Sequence, residues 1–562
     1  MKTFEQLHRM LPLGQQSFTA IRQRNLIYVD KTRYLYQLAM TSQPQLLTRP
    51  RRFGKSTLVS AFEELFLHGV APYDGHDSYF KGLEIEQLWP QVPENDGPFY
   101  VLHLDFSELL QNCKSVDVFN ERLNKQIVTF AANSQLKLND DKDAAFDALI
   151  DVVPNDSLVL LVDEYDKPLT HFLGTDNDAE QEAMVQVLRG FFNQVKVHSG
   201  KFHFTFITGT TRLVDTSMFT AGNSFADISQ KPEFGDICGI TREELQHYFP
   251  EHLRYAAAQR LHIPVEQVSS EQVEQLLDKM ALWYDGYCFE RTGKTHVFSL
   301  WSVLCFFSEP DAVFSPYWFN GGGVPELLRK SLLNKSWKER LSLLEGDSVL
   351  VDLDAFLSPS TFATMQDEVL LFQTGYLTLK APYCEEDDDS EVLLGVPNKE
   401  IKHAIARMYR VDFFPDTGFR KAFSAKLRTA IKAQDAATLQ QCFNELFHSI
   451  DYEHYPLTKE SAVTSTLHIA IALVLDIRVM VNLHESQGRA DLVFDWQNTT
   501  VVFELKYADT LSQTNSMLQQ ALTQIQTRNY GNTMFKRPKL WRVAMVFCAE
   551  SRDLAAVQAL SE

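Results

Sequence analysis

The chain has 562 residues, a formal net charge of −20, 45% hydrophobic residues and 22% charged residues. A chain of this length is expected to form about two to four domains, and its composition is that of an ordinary soluble globular protein. The acidic charge excludes a protein that coats nucleic acid indiscriminately. It does not exclude a nuclease, because an acidic metal site and a local basic patch can occupy one chain.

Membrane spans and disulfide frameworks are not expected. The longest apolar runs, at 158–162 and 469–475, are far shorter than the ~20 residues that a membrane helix needs. The N-terminus has no apolar stretch of signal-peptide length, and the seven cysteines form no CxxC pair. We therefore predict a reduced cytoplasmic protein without membrane contact or a zinc ribbon.

The first candidate motif is the loop at 48–56, which reads TRPRRFGKS. A P-loop has Gly, four residues, Gly, Lys and then Ser or Thr; Gly54, Lys55 and Ser56 fit, but Arg49 stands at the first Gly. The pattern predicts a strand before the loop and a helix that begins at Lys55. Backbone N–H groups and the helix dipole at such a position favour an anion.

This loop predicts a site for ATP or another nucleoside triphosphate. Lys55 would reach the β- and γ-phosphates, and the Ser56 hydroxyl would hold Mg²⁺. Without glycine the loop cannot easily close its backbone on a phosphate, so the side chains of Arg49, Arg51 and Arg52 are expected to replace part of that cradle. The remaining members of the predicted nucleotide-binding set are Phe53, Gly54 and Thr57. The alternative is a solvated basic turn.

The partner motifs of a nucleotide site follow in order. Residues 157–166, SLVLLVDEYD, predict a buried strand followed by acids, with Asp163 for the Mg²⁺ shell and Glu164 to activate water. A strand at 202–208 ends in Thr208, where related ATPases place a sensor for the γ-phosphate. Strands separated by helices predict a parallel sheet with its ligand at the carboxyl edge. Each motif alone also fits an ordinary polar exit from a strand.

The last candidate site lies in two strand-like runs at 490–496 and 500–507, joined by a short turn. A turn of even length sets Asp491 opposite Glu504, whereas a three-residue turn sets it opposite Leu505; we predict the even turn. Alternation along the strand puts Glu504 and Lys506 on one face. Asp491, Glu504 and the Leu505 carbonyl would then bind Mg²⁺ or Mn²⁺, and Lys506 would orient the attacking water. The alternative is an exposed face with an ordinary Glu–Lys pair.

The ordered series YVDKT (28–32), TRPRRFGKS (48–56), LVDEYDKP (161–168), FITGTTRL (206–213) and FELKYA (503–508) resembles a bacterial family with an AAA-ATPase-like domain and a PD-(D/E)XK nuclease domain. The resemblance covers most of the chain. It implies an α/β protein with a P-loop NTPase-like parallel-sheet domain at 1–230, a mostly helical lid or bridging region at 231–410, and a restriction-endonuclease-like α/β domain at 411–562.

The resemblance also implies accessory residues for the second site. Glu485 matches an acidic position that precedes the nuclease motif, and Glu460 is a rival for that role; the sequence does not choose between them. Gln524 and Tyr530 resemble positions that related nucleases use. Residues 231–410 contain no catalytic pattern.

The leading functional prediction is an enzyme in which an ATP-binding domain, expected to be an ATPase, is coupled to a Mg²⁺-dependent nuclease that acts on nucleic acid, with DNA as the first choice. The alternative is a nucleotide-responsive signalling or interaction switch whose nuclease-like domain binds without cleaving. A third hypothesis is a nuclease with an inert ATPase domain. The sequence leaves open whether the chain forms a homo-oligomer.

Overall fold

The structure is a computed structural model, and it describes residues 2–41, 43–91, 98–138, 144–172, 178–213, 225–320, 335–345, 348–358, 361, 364–383, 391–450, 457–485, 488–528 and 537–560. The chain divides into two compact units. The N-terminal unit is Met1–Leu328 with Ser348–Ile401, and the C-terminal unit is Arg329–Asp347 with Lys402–Glu562. Most of the predicted bridging region therefore groups with the N-terminal unit, while the three-part division at 230 and 410 stays a prediction.

A parallel sheet organises the first part of the N-terminal unit. Its strands are β1 (Gln45–Thr48), β2 (Tyr100–Asp105), β3 (Leu158–Asp163), β4 (Phe202–Gly209) and β5 (Ala226–Asp227). They lie in the order β2-β3-β4-β1-β5, and every neighbouring pair is parallel. All six residues of β3 are buried, as expected for a strand covered on both faces. The predicted strands at 45–48, 157–166 and 202–208 are thus confirmed.

Helices cover this sheet and build the rest of the unit. Those up to the end of β5 are Phe4–His8, Phe18–Gln23, Thr32–Ala39, Lys55–His68, Ile85–Leu88, Phe106–Leu109, Val116–Asn133, Ala145–Val152, Lys167–His171 and Asp178–Val197. Those that follow are Arg242–Tyr248, Pro250–Leu261, Ser270–Tyr284, Leu300–Ser308, Tyr317–Asn320, Leu353–Leu357 and Asp367–Gln373. Single 3-10 turns are Trp89–Gln91, Ser199–Lys201, Pro232–Phe234 and Val265–Gln267. The predicted helical middle region is confirmed.

The middle region also contains a small antiparallel sheet. Its strands are β6 (Val349–Asp352), β7 (Thr378–Leu379) and β8 (Glu391–Gly395), in the order β6-β8-β7. The boundary between the two units falls after Ile401, inside the helix Lys399–Phe413. Within the described ranges, no helix is both long enough and apolar enough to cross a membrane.

The C-terminal unit contains a mixed five-stranded sheet. Its strands are β9 (Val479–Glu485), β10 (Gly488–Trp496), β11 (Thr499–Ala508), β12 (Lys539–Cys548) and β13 (Asp553–Ala559), in the order β13-β12-β11-β10-β9. β11 and β12 are parallel, and the other pairs are antiparallel. The helices of this unit are Trp337–Glu345, Thr417–Ala433, Ala436–Ser449, Glu460–Leu475 and Thr514–Arg528, with a 3-10 turn at Leu511–Gln513. The predicted C-terminal α/β fold is confirmed.

One helix of this unit is almost entirely internal. Eleven of the sixteen residues of Glu460–Leu475 are buried, and the helix contacts β9, β10 and β11. Its last seven residues, IAIALVL, are apolar on all sides, which is typical of a helix packed within a core. Glu460 is the first residue of this helix, at its exposed end. The packing of the helix therefore determines where the Glu460 carboxylate lies.

Candidate functional site

The P-loop motif occupies the position that a nucleotide site requires. β1 ends at Thr48, the helix begins at Lys55, and Gly54 precedes the helix with a φ of 99° that favours glycine. Thr48 lies opposite Gly209 in the parallel pairing of β1 with β4. Because β3 is parallel to β4, Asp163 and Thr208 lie at the same carboxyl edge of the sheet as the loop.

Lys55 is bonded to its own loop. Its side chain is buried, and Nζ donates to the carbonyl oxygens of Arg49 at 2.8 Å and Pro50 at 3.1 Å. The loop therefore holds the ammonium group with backbone oxygens, in the way that a bound phosphate would hold it with phosphate oxygens. A nucleotide would have to replace these two hydrogen bonds.

Arg49 does not face a phosphate. Its side chain is only 1% exposed, and the guanidinium donates to the carbonyls of Thr48 and Ser229, at 2.9 and 2.6 Å. A further bond of 2.9 Å reaches the carbonyl of Phe234, and the guanidinium carbon lies 4.8 Å from the ring centroid of Phe289. These donors fasten the end of β1 to the chain after β5, and the predicted contact of Arg49 with a phosphate stays a prediction.

Two other loop residues also pack inward. Arg52, with a φ of 71°, donates to the Trp318 carbonyl, and its guanidinium lies 5.1 Å from the Trp301 ring centroid. Phe53 is buried, with its ring centroid 4.9 Å from that of Tyr287. These contacts give both residues a packing role, and their predicted place in the nucleotide site stays a prediction. Arg51 is the exposed arginine of the three.

The predicted acids of the nucleotide site meet as expected. The Asp163 carboxylate accepts hydrogen bonds from the Thr208 hydroxyl and, at 3.0 Å, from the N–H of Glu164. Burial raises the pKa of Glu164, and the positive charges of Lys167 and Lys55 act against that increase. Lys55, Asp163, Glu164 and Thr208 therefore belong to one cluster. Ser56 and Thr57 follow Lys55 in the first turn of the helix.

One structural acid escaped the sequence analysis. Asp166 is buried and accepts from the N–H groups of Thr210 and Thr211, at 3.1 and 3.0 Å, and from the Thr211 hydroxyl at 2.7 Å. It fixes the chain as it leaves β4. The signal for this role was the second aspartate of DEYD, which reaches across to the next strand.

The β10–β11 hairpin confirms the predicted even turn. Leu492 pairs with Phe503, and the register continues to Trp496 opposite Thr499, so that only residues 497 and 498 form the turn. The same register sets Asp491 opposite Glu504. Alternation then puts both carboxylates and Lys506 on one face of the sheet.

Three charged groups converge at this point of the hairpin. The Asp491 carboxylate accepts the Leu505 N–H at 2.8 Å. Lys506 Nζ donates to Glu504 Oε1 at 2.7 Å and to the Leu505 carbonyl at 3.1 Å. Glu504 Oε2 is buried and has no hydrogen-bond partner among the residues that the structure describes. A buried carboxylate oxygen without a partner is costly, and it is the kind of atom that a bound cation would satisfy.

The electrostatics of this site follow from crowding negative groups in a buried place. Burial and the neighbouring Asp491 charge raise the pKa of Glu504 to about 7, although Lys506 opposes the increase. Burial likewise raises the pKa of Asp491. The pKa of Lys506 is also raised: burial acts against this, but the attraction of Glu504 and Asp491 prevails. The site therefore has a local excess of negative charge.

Of the two accessory acids, the structure describes the side chain of Glu460 but not that of Glu485. Burial raises the pKa of Glu460, and the charges of Lys506 and Asp491 also act on it, so Glu460 borders the site. The backbone of Glu485 pairs with Gly488 at the end of β9, but its side chain lies outside the described residues. Its predicted role therefore stays a prediction.

The remaining predicted positions lie on the helix Thr514–Arg528 or outside the described residues. Gln524 is half-buried on the helix Thr514–Arg528, which packs on β11 and β12. Tyr530 lies outside the described residues. Among the residues that the structure describes, no three His, Cys, Asp or Glu side chains are grouped as a complete metal site. The donors that fit a divalent ion are Asp491, Glu504 and the Leu505 carbonyl.

Comparison with known proteins finds two family models that match separate parts of the chain. Residues 12–219 match a family model described as a predicted AAA-ATPase, and residues 458–556 match that of the PD-(D/E)XK nuclease superfamily. The predicted resemblance is thus confirmed. A protein of Azotobacter chroococcum mcd 1, described as an uncharacterized protein in the vnfD 5' region, is 25% identical over 561 residues, which cover 97% of this chain and 98% of that protein.

Proposed function

We propose that the chain is an ATP-binding protein, with ATPase activity, that controls a Mg²⁺-dependent nuclease acting on DNA. The observation that carries the proposal is the convergence of Asp491, Glu504 and Lys506 on one face of a hairpin, where one buried carboxylate oxygen has no partner in the described part of the chain. The matches to the two family models support the same pairing of activities.

The chain's own residues have distinct roles in the proposed cleavage. Asp491, Glu504 and the Leu505 carbonyl would hold Mg²⁺ or Mn²⁺, because hard cations prefer oxygen ligands. When bound, such a cation supplies a water of lowered pKa and offsets charge on the attacked phosphate. Lys506 orients that water and stabilises the developing negative charge. Glu460 adds a third acid beside the site, and Glu485 and Gln524 are kept as further candidates.

The proposed nucleotide site uses the parallel sheet. Lys55 would leave the carbonyls of Arg49 and Pro50 to bind the terminal phosphates, and Arg51 would remain exposed beside them. Ser56 and Asp163 would hold Mg²⁺, Glu164 would activate water, and Thr208 would report the γ-phosphate through Asp163. Nucleotide binding would therefore change the hydrogen bonds of the loop. This change is the first step of the proposed control of the nuclease by ATP.

The contacts of Lys506 support an alternative in which the site binds no metal. The Lys506 ammonium group contacts two of the three oxygen donors that a metal would use. A protein that never binds metal could use this arrangement as a stable ion pair, and the chain would then be a nucleotide-responsive switch whose nuclease-like domain binds without cleaving.

Cleavage of duplex DNA by the full-length protein in Mg²⁺, with and without ATP, tests the proposal. Glu504→Gln should reduce the cleavage rate by at least about 100-fold, because it removes one ligand charge and weakens the hold on Lys506. Glu391→Gln, an exposed acid of β8, should cleave as the wild type does. The nuclease assignment would be wrong if Glu504→Gln cleaved normally or if the wild type cleaved neither DNA nor RNA. Cleavage indifferent to ATP would refute the proposed control alone.

A further inference from the structure

Positive charge is concentrated in one segment of this acidic chain. Residues 402–434 contain eight lysines and arginines and two aspartates, a formal charge of +6 in a protein whose total is −20. The segment comprises the end of the helix Lys399–Phe413 and the whole of Thr417–Ala433. The second of these helices contains no Asp or Glu.

Part of this charge forms a straight row on the protein surface. Lys421, Arg428 and Lys432 are exposed, and their spacing of seven and four residues puts them on one face of the helix Thr417–Ala433. We call these three residues the basic stripe. The buried face of the same helix is formed by Phe423, Leu427, Ala430 and Ile431. At 1.5 Å per residue the stripe is about 16 Å long.

A neighbouring lysine, Lys426, differs from the stripe because an acid neutralises its charge. Lys426, on another side of the same helix, forms an ion pair of 2.5 Å with Glu445. Arg428 bonds only neutral groups among its described contacts: the Val474 carbonyl at 2.9 Å and the Ser424 hydroxyl at 3.2 Å. Such contacts orient the guanidinium without neutralising its charge. The stripe thus keeps its positive charge at the surface.

The stripe is held in a fixed relation to the acidic site. Arg410 and Arg428 donate to the carbonyls of Leu473 and Val474, in the last turn of the helix Glu460–Leu475. The first residue of that helix, Glu460, borders the acidic site. Because the helix has sixteen residues, its ends are about 22 Å apart. This distance equals about six or seven base pairs of duplex DNA.

We propose that the basic stripe binds the phosphate backbone of duplex DNA about two-thirds of a helical turn from the bond that the acidic site cleaves. The inference rests on the proposed nuclease function and extends it to the substrate. An acidic site repels DNA, so a separate surface of opposite charge must supply the attraction. A duplex suits the arrangement, since its stiffness keeps phosphates in register over 22 Å. Lysine and arginine contacts to phosphates position DNA without reading its sequence.

Binding of a fluorescent 30-base-pair DNA to the full-length protein, measured by anisotropy in EDTA over a range of salt, tests the stripe without cleavage. The triple variant Lys421→Gln, Arg428→Gln and Lys432→Gln should lower the slope of log affinity against log salt by about 2.7, since each phosphate contact contributes about 0.9. A matched triple of exposed lysines in the N-terminal unit, Lys114→Gln, Lys125→Gln and Lys137→Gln, should keep the wild-type slope.

A double variant guards against loss of folding. Lys421→Gln with Lys432→Gln leaves the Arg428 bond to Val474 in place and should lower the slope by about 1.8. Unchanged slopes in both variants would overturn the inference, and so would an equal loss in the matched lysine triple. Binding of single-stranded DNA, duplex RNA or an acidic protein that depends on the stripe while duplex DNA binding does not would also overturn it. If the stripe binds duplex DNA but the wild type never cleaves it, only the nuclease proposal fails.

Discussion

The P-loop region and the β10–β11 hairpin treat their charged groups in opposite ways. At the loop, Lys55 and Arg49 donate to backbone carbonyls of the protein itself. At the hairpin, Glu504 Oε2 is buried without a partner among the described residues, and the pKa of Glu504 is raised to about 7 mainly by burial. Both sites hold a lysine that a ligand must displace or share, but only the second also has a buried oxygen that gains an interaction.

This difference predicts two kinds of ligand dependence. Nucleotide binding at the loop exchanges carbonyl contacts for phosphate contacts, so its net free energy is the difference of two favourable terms. Cation binding at the hairpin relieves a cost that folding imposes, so it should stabilise the fold as well as enable chemistry. The predictions that follow test each side of the comparison.

The largest effect is expected at Lys55. Lys55→Ala removes a charge-assisted contact to the phosphates and should weaken ATP binding about 100-fold, measured by titration calorimetry in Mg²⁺. Lys125→Ala, an exposed lysine on the helix Val116–Asn133, should bind ATP as the wild type does. A loss of less than about threefold would mean that Lys55 stays bonded to the loop carbonyls and never reaches a phosphate.

A second effect concerns Glu400, an acid of the N-terminal unit that lies near Arg52. Its buried carboxylate accepts from the Ser302 hydroxyl and the Trp318 N–H, both at 2.7 Å, and burial raises its pKa from 4.5 to about 7. The folded protein therefore binds this proton more tightly than the unfolded chain. The resulting stability is complete below about pH 4.5 and is lost as the pH rises through 7.

Glu400→Gln should remove this pH dependence. Between pH 5 and pH 8 the wild type should lose about 2 to 3 kcal/mol more unfolding free energy than the variant, as measured by denaturant unfolding of the N-terminal unit. Glu391→Gln, which changes an exposed acid, should follow the wild-type curve. If the unfolding free energies of the wild type and Glu400→Gln changed in parallel with pH, the Glu400 carboxylate would be ionised from pH 5 to pH 8. The hydrogen bonds that it accepts would then offset the effect of burial on its pKa.

The smallest effect is expected at Lys506. Lys506→Met removes the ammonium group that contacts Glu504 Oε1 and the Leu505 carbonyl, so Mn²⁺ should bind about tenfold more tightly even though cleavage is lost. Lys539→Met, an exposed lysine at the start of β12, should leave the affinity unchanged. Weaker Mn²⁺ binding by Lys506→Met would mean that this lysine supports the cation site instead of competing for it.

Local sequence patterns predicted the strands and the register of the β10–β11 hairpin well. Runs of apolar residues marked β1, β3 and β4, and the two-residue turn followed from the spacing of Asp491 and Glu504. Both results depend on residues close together in the chain, where periodicity and turn length are informative.

Long-range packing accounts for what the sequence did not predict. Arg49 lies in a P-loop-like sequence, but its partners Ser229 and Phe289 are 180 and 240 residues away, so the sequence did not predict these contacts. Likewise, the position of Glu460 beside Lys506 depends on how an internal helix packs against β10 and β11. No local pattern contains this information.

Anomalous diffraction from crystals of the full-length protein grown in Mn²⁺ tests the central claim most directly. The account predicts a Mn²⁺ peak about 2 to 2.5 Å from carboxylate oxygens of both Asp491 and Glu504, and no such peak in crystals of Glu504→Gln. The central claim would be contradicted if crystals in saturating Mn²⁺ showed no peak at these two carboxylates while Lys506 remained bonded to Glu504.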